Sequence, residues 1–116
     1  MIKVQNSTIF QLSEFDITQK IIESLTNMCT RAVLFSIKKD AKDAMKIADE
    51  LKISLSTVYK TLANLEDLAL VEVKKFVFSS EGKKIKMYKS RIGKAEISIS
   101  NMNPILNLYP NNGNSD

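Results

Sequence analysis

The stretch Ala44–Leu65, AMKIADELKISLSTVYKTLANL, decides how the rest of the chain is read. Ala44, Ile47, Ala48 and Leu51 recur at three- and four-residue steps, and after a break so do Leu55, Val58, Leu62 and Leu65. That is the period of two amphipathic helices, each with one apolar stripe. Asp40 or Asp43 is placed to cap the first helix and Ser54 the second, because their short side-chain oxygens accept from free N–H groups at a helix start. Ala48 is small enough for the second helix to approach closely, Ile53 plugs the turn, and Val58 and Leu62 form the facing stripe. Ser56, Thr57, Lys60, Thr61 and Asn64 fall on the other side, with Tyr59 at its margin: the ring suits packing, the hydroxyl a polar contact.

Downstream the period changes to two. Leu70–Phe78 is rich in β-branched and aromatic residues, Ser79-Ser80-Glu81-Gly82 is a turn cluster, and Lys84–Met87 alternates polar with apolar on the way to Ile92. Together they predict a β-hairpin, with Phe76, Phe78 and Tyr88 read as its core in preference to a base-stacking surface. Ala95–Ser100, the turn Asn101–Pro104 and Ile105–Tyr109 predict a second strand pair, and residues 111–116 a disordered tail.

Upstream, Ile17, Ile21, Ile22, Leu25, Met28, Cys29, Ala32, Val33, Phe35 and Ile37 keep helical spacing. They predict one long helix or two short ones with a break near Thr26-Asn27, starting at an N-cap on Asp16 or Thr18. Before them, Thr8–Leu12 reads as a short strand and Ser13–Asp16 as a turn, within an N-terminal arm of residues 1–17.

Charge is unevenly spread. The net charge of +4 hides a balance of nine basic and nine acidic groups over residues 1–70. Residues 71–94 carry eight basic side chains (Lys74, Lys75, Lys83, Lys84, Lys86, Lys89, Arg91, Lys94) against Glu72 and Glu81. A localised positive segment suits a polyanionic partner; the plainer alternative is a solvated lysine-rich hairpin.

Several chemistries find no residues. The chain has no histidine and one cysteine, which removes the commonest general base, the commonest transition-metal ligand and any internal disulfide. Cys29 sits in an apolar stretch and reads as packing. There is no Gly-rich phosphate loop, and Asp49-Glu50 and Glu66-Asp67 fall on helix surfaces, so neither an enzyme nor a bound cofactor or metal is expected. No apolar run nears the ~20 residues that cross a bilayer, and Met1–Ser7 lacks a secretory pattern, so the expectation is a cytoplasmic chain without membrane contact.

Ile47–Leu62 resembles the helix-turn-helix of ArsR-type and related winged-helix regulators. Leu65–Val71 is similar to the segment leading into their wing, and Gly82–Ser90 to the returning wing strand of short archaeal members. The resemblance spans roughly residues 18–92. It implies an α+β, mainly α fold: a winged helix-turn-helix of three helices plus a β-hairpin wing over 18–92, followed by an extra strand pair over 93–110. Lys52 stands where many such turns have Gly, at a cost of ~1 kcal/mol if the left-handed backbone is kept. The paired thiolates of the metal-sensing members and their C-terminal dimerisation helix are missing, so metal response is not carried over.

The resemblance further implies sequence-specific binding of double-stranded DNA and regulation of transcription. The small reading surface of one helix predicts a homodimer, paired through the first helix or through the C-terminal strands of 93–110 with the N-terminal arm. The second helix of the motif would lie in the major groove, offering Ser56, Thr57, Tyr59, Lys60, Thr61 and Asn64 to bases or phosphates. Lys75, Lys83, Lys84 and Lys86 of the wing would meet phosphates or the minor groove. Lys89, Arg91 and Lys94 lie farther from its tip. The alternative from another class is a winged-helix module that binds protein within a transcription or processing complex. Operator, effector and sign of regulation are not legible.

Overall fold

The computed structural model describes the backbone of residues 9–112 and the side chains of residues 17–112. The order is α1 (Ile9–Leu25), α2 (Met28–Ser36), α3 (Ala44–Leu51), α4 (Leu55–Asp67), β1 (Val71–Phe78), β2 (Lys84–Ser90), β3 (Ile92–Ser98) and β4 (Ile105–Pro110). The chain is α+β: four helices followed by two antiparallel hairpins, β1–β2 and β3–β4.

The break between α1 and α2 falls where the sequence places it. Asn27 adopts an extended backbone and its Oδ1 accepts from the Thr30 N–H at 2.9 Å, which starts α2. Arg31 Nη1 donates to the Leu25 carbonyl at 3.0 Å and so satisfies an acceptor that the end of α1 leaves free. The start of α1 corrects the expectation. Residues 9–16 are helical, not the strand and turn read over Thr8–Asp16, and neither Asp16 nor Thr18 is a cap; Thr8 lies outside the described residues. The segment 9–25 contains no Gly or Pro, so nothing interrupts the helix running back from Ile17.

Both caps of the α3–α4 pair form. Asp43 Oδ1 accepts from the Lys46 N–H at 2.7 Å, and Ser54 Oγ from the Thr57 N–H at 3.1 Å. Between them Lys52 is left-handed, φ 59° and ψ 43°, and its N–H bonds to the Ala48 carbonyl. The Ile53 N–H converges on the same oxygen at 3.2 Å. The end of α4 repeats the device without glycine: Ala69 has φ 61° while the Leu70 N–H reaches back to the Leu65 carbonyl at 2.9 Å.

The core lies among α1, α2, α3, α4 and the root of the first hairpin, with Ile21 and Leu25 of α1 buried in it. Val33, Leu34, Ile37, Ile47, Val58, Leu62, Leu65 and Leu70 are almost wholly buried, closed over by Val71, Tyr88 and Ile92. Lys42, in the loop between α2 and α3, forms a bridge to Tyr88, exchanging N–H···O bonds of 3.0 and 2.8 Å. β2 is thus flanked by β1 on one side and by this single residue on the other. Strand β3 begins at Ile92, so a boundary drawn between 92 and 93 falls inside it; Ala95 and Leu106 pack against the core.

The chain passes between hairpins at Arg91, whose N–H bonds to the Leu70 carbonyl at 2.9 Å and whose carbonyl accepts from the Asn111 N–H at 2.9 Å. Asn111 Nδ2 also donates to the Lys38 carbonyl at 2.7 Å and the Ser90 carbonyl at 3.0 Å, which ties this residue of the expected tail to the loop after α2 and to β2. Residues 113–116 lie outside the described residues. No helix among the described residues is long and apolar enough to cross a membrane.

Candidate nucleic-acid interface

On α4, Val58, Leu62 and Leu65 turn inward, and the opposite side is open. Ser56, Thr57 and Lys60 are exposed there and Thr61 is half-buried. The hydroxyls of the first turn are linked: Ser54 Oγ donates to Thr57 Oγ1 at 2.8 Å and lies 3.2 Å from Ser56 Oγ. No acidic residue occupies this turn, so the positive end of the helix dipole is not offset locally. An anionic oxygen brought here would meet hydroxyl donors and, one turn on, the Lys60 ammonium. Tyr59 is half-exposed. Asn64 is exposed, but its Nδ2 donates to Ser24 Oγ of α1 at 3.0 Å, so the end of α4 is tied to the helix behind it.

The first hairpin has a feature that repetition of its pattern hides. Val71 pairs with Ser90 and Val73 with Tyr88, but Lys75 pairs with Met87 and Phe76 with Lys86, because the register shifts between Val73 and Lys75. Lys74 is the extra residue of a β-bulge. Cross-strand partners share a face. One face therefore carries Val71, Val73, Tyr88 and Ser90 at its root and Phe76, Phe78, Lys84 and Lys86 farther out. The other carries Lys75, Val77, Ile85 and Met87. The bulge puts Phe76 and Phe78 on the face of Lys84 and Lys86 and leaves Lys75 on the opposite one. Lys83 is exposed in the turn, where Ser79 holds it: the Lys83 N–H donates to Ser79 Oγ at 3.0 Å and the Ser79 N–H to the Lys83 carbonyl at 2.9 Å. Gly82, with φ 83°, makes that turn possible.

Phe76 and Phe78 are not hairpin core. They are 45% and 68% exposed, whereas Tyr88 is 6% exposed. Only the root of the hairpin joins the core, so the rings farther out are not covered by the helices. The Lys84 Nζ stands 4.2 Å above the Phe76 ring, a cation–π contact. One sequence signal marks this arrangement: the apolar phase is odd at Val71 and Val73 and even at Phe76 and Phe78, with the doublet Lys74-Lys75 between.

The hairpin root and α4 adjoin. Burial raises the Tyr88 phenol above its ordinary pKa, and the nearby charges of Glu66 and Tyr59 on α4 raise it further. The remaining basic residues of the segment are partly engaged. Lys89 Nζ donates to the Lys39 carbonyl at 2.8 Å, and Lys94 pairs with Glu96 at 3.2 Å beside the Tyr109 ring. Hydrogen bonds from Tyr109 and Lys94, in that order, hold the Glu96 carboxyl below its usual range. Arg91 is exposed.

Among the described residues no group of three His, Cys, Asp or Glu side chains is placed to hold a metal ion. No family model matches the chain, and a search of the curated proteins finds no significant match.

Proposed function

We propose that this chain is a winged helix-turn-helix protein that binds double-stranded DNA as a homodimer and regulates transcription. In this reading α2, α3 and α4 form the three-helix core, Lys42 is the stub of the first strand, and β1–β2 is the wing. The observation that carries it is the joint exposure of the Ser56–Thr57–Lys60 side of α4 and of the lysines of the hairpin whose root packs on α4. A helix set in the major groove presents its N-terminal residues to base edges, and a neighbouring basic hairpin meets phosphates. Lys60 is the residue for guanine acceptors, Ser56 and Thr57 serve bases or backbone, and Lys83, Lys84 and Lys86 neutralise phosphates. Asn64, engaged with Ser24, contributes less to the groove than its position on α4 suggests. Lys75 contacts the backbone only from the far face of the wing. The role is one of binding, with no chemical step.

One helix spans only a few base pairs, so two protomers sharing half-sites ~34 Å apart supply a readable length. The β3–β4 hairpin, whose Ile97 and Leu108 remain about one-third exposed, is the element we assign to pairing; light scattering showing a strict monomer at high concentration would count against it.

The test is duplex binding over a salt series for Lys60→Ala and for Lys83→Ala/Lys84→Ala, using duplexes selected from a random pool. Each lost phosphate contact should flatten the dependence of log affinity on log salt by about 0.9. Lys60→Ala should also relax sequence preference. Duplex binding unchanged in both variants would favour a module that binds protein instead.

A further inference from the structure

We infer that the outer half of the β1–β2 hairpin is a stacking site for unpaired bases, so that the preferred DNA contains a locally opened or mismatched segment beside the helix-binding site. This rests on the DNA-binding reading above and specifies its substrate. Phe78 is 68% exposed and Phe76 45%, and they share one hairpin face with Lys84 and Lys86. Both rings remain largely open to water although Lys84 covers part of Phe76. Glu72 pairs with Lys89, which places it on the opposite face from the rings, so the charged side chains paired on the ring face are Lys84 and Lys86 of β2.

The composition of this face selects its occupant. Cross-strand neighbours alternate ring with ammonium: Phe76 lies opposite Lys86, Phe78 opposite Lys84, and Lys84 reaches diagonally over Phe76. An apolar protein surface laid on the rings would have to desolvate both lysines. A strand of nucleic acid satisfies both kinds of group at once, bases stacking on aromatic faces while phosphates meet the lysines. A paired base inside a duplex has both faces covered by its neighbours and offers a ring no site. Phe78 is the stacking ring, and the Phe76–Lys84 pair holds the adjacent phosphate.

The bulge at Lys74 supports the assignment. Unbroken alternation from Val71 and Val73 would put Lys75 on this face and both phenylalanines on the other. The extra residue is what sets the rings beside Lys84 and Lys86.

The experiment compares a selected duplex with the same duplex carrying a three-nucleotide mismatch bubble that contains 2-aminopurine. The wild-type chain should bind the bubble roughly five- to a hundredfold more tightly than the paired duplex, and the 2-aminopurine emission should fall on binding as the base stacks. Phe78→Leu, at an exposed position where the fold does not depend on the ring, should abolish the preference and the quench while binding to the paired duplex stays within about twofold, the scale of a surface change. Lys84→Ala should weaken both DNAs. A wild-type chain that binds the paired duplex without preferring the bubble would overturn this inference and leave the DNA-binding reading intact. So would a Phe78→Leu variant that keeps the preference, or one weakened equally on both DNAs. A chain that binds neither DNA would overturn both.

Discussion

Replacing Lys52 with glycine should stabilise the fold, against the usual effect of glycine beside a helix. The residue is left-handed at φ 59° and ψ 43°, a conformation in which a Cβ crowds the following carbonyl at a cost of about 1–2 kcal/mol. Glycine removes that cost but adds freedom to the unfolded chain, worth about 0.4–1 kcal/mol in the other direction. The lysine side chain is exposed and bonds to none of the described residues, so its loss subtracts little. The net gain is therefore about 0.5–1 kcal/mol. With an unfolding entropy of about 2.1 cal/mol/K per residue, a chain of 116 residues gains ~2–4 °C in Tm. Lys52→Val, which puts a β-branched side chain at the same φ, should fall by at least as much. Thermal unfolding followed by circular dichroism at one fixed protein concentration measures both variants. A glycine variant that melts below wild type, or a valine variant that melts with it, would refute a left-handed turn between α3 and α4.

Three other outcomes follow from particular contacts. Ser54→Ala removes the α4 cap and should cost about 1 kcal/mol in urea unfolding, with Ser54→Asp restoring most of it; equal stability of the alanine variant would mean the Thr57 N–H finds another acceptor. Because the Tyr88 pKa is raised by folding, its contribution to stability is fully present below about pH 10, the ordinary phenol value, and is lost as the pH climbs through the higher folded value. Tyr88→Phe should remove that part of the alkaline slope, and an unchanged slope would show that the phenol is not desolvated. Asn111→Ala deletes the side-chain bonds to Lys38 and Ser90, which together stabilise by roughly 1–2 kcal/mol. It should speed amide exchange in β3 and β4, whereas exchange at wild-type rates would show that the second hairpin holds without it.

What could be read from the sequence was local. Asp43 and Ser54 cap the helices that begin one residue after them, and Asn27 starts α2 through its own side chain, so each signal lies within a few residues of its effect. Over Thr8–Asp16 the apolar residues suit either period, and Asp16 and Thr18 offer caps through which the helix runs on regardless. Asn64 and Asn111 escaped for the opposite reason: their partners Ser24, Lys38 and Ser90 are distant in sequence, and an exposed asparagine carries no mark of such a bond. The rule that rings are buried places the phenylalanines in a core, and it holds only where another layer covers them. The side of the hairpin on which Lys75 stands depended on one unpaired residue, and no Gly or Pro announces it.

That unpaired residue has a geometrical consequence. A bulge bends its strand and tightens the local right-handed coil, so Lys74 governs the direction in which the outer hairpin points as well as which side chains share its surface. Deleting Lys74 would restore plain pairing with Phe76 still beside Lys86, so the same chemistry would be presented along a different heading. The second hairpin is built alike: its register slips between Ile92 and Lys94, with Gly93 close against Pro110. In both hairpins, insertion or loss of a single amino acid near the base would steer the tip, and the reach of this protein is open to retuning by length where substitution would leave it unchanged.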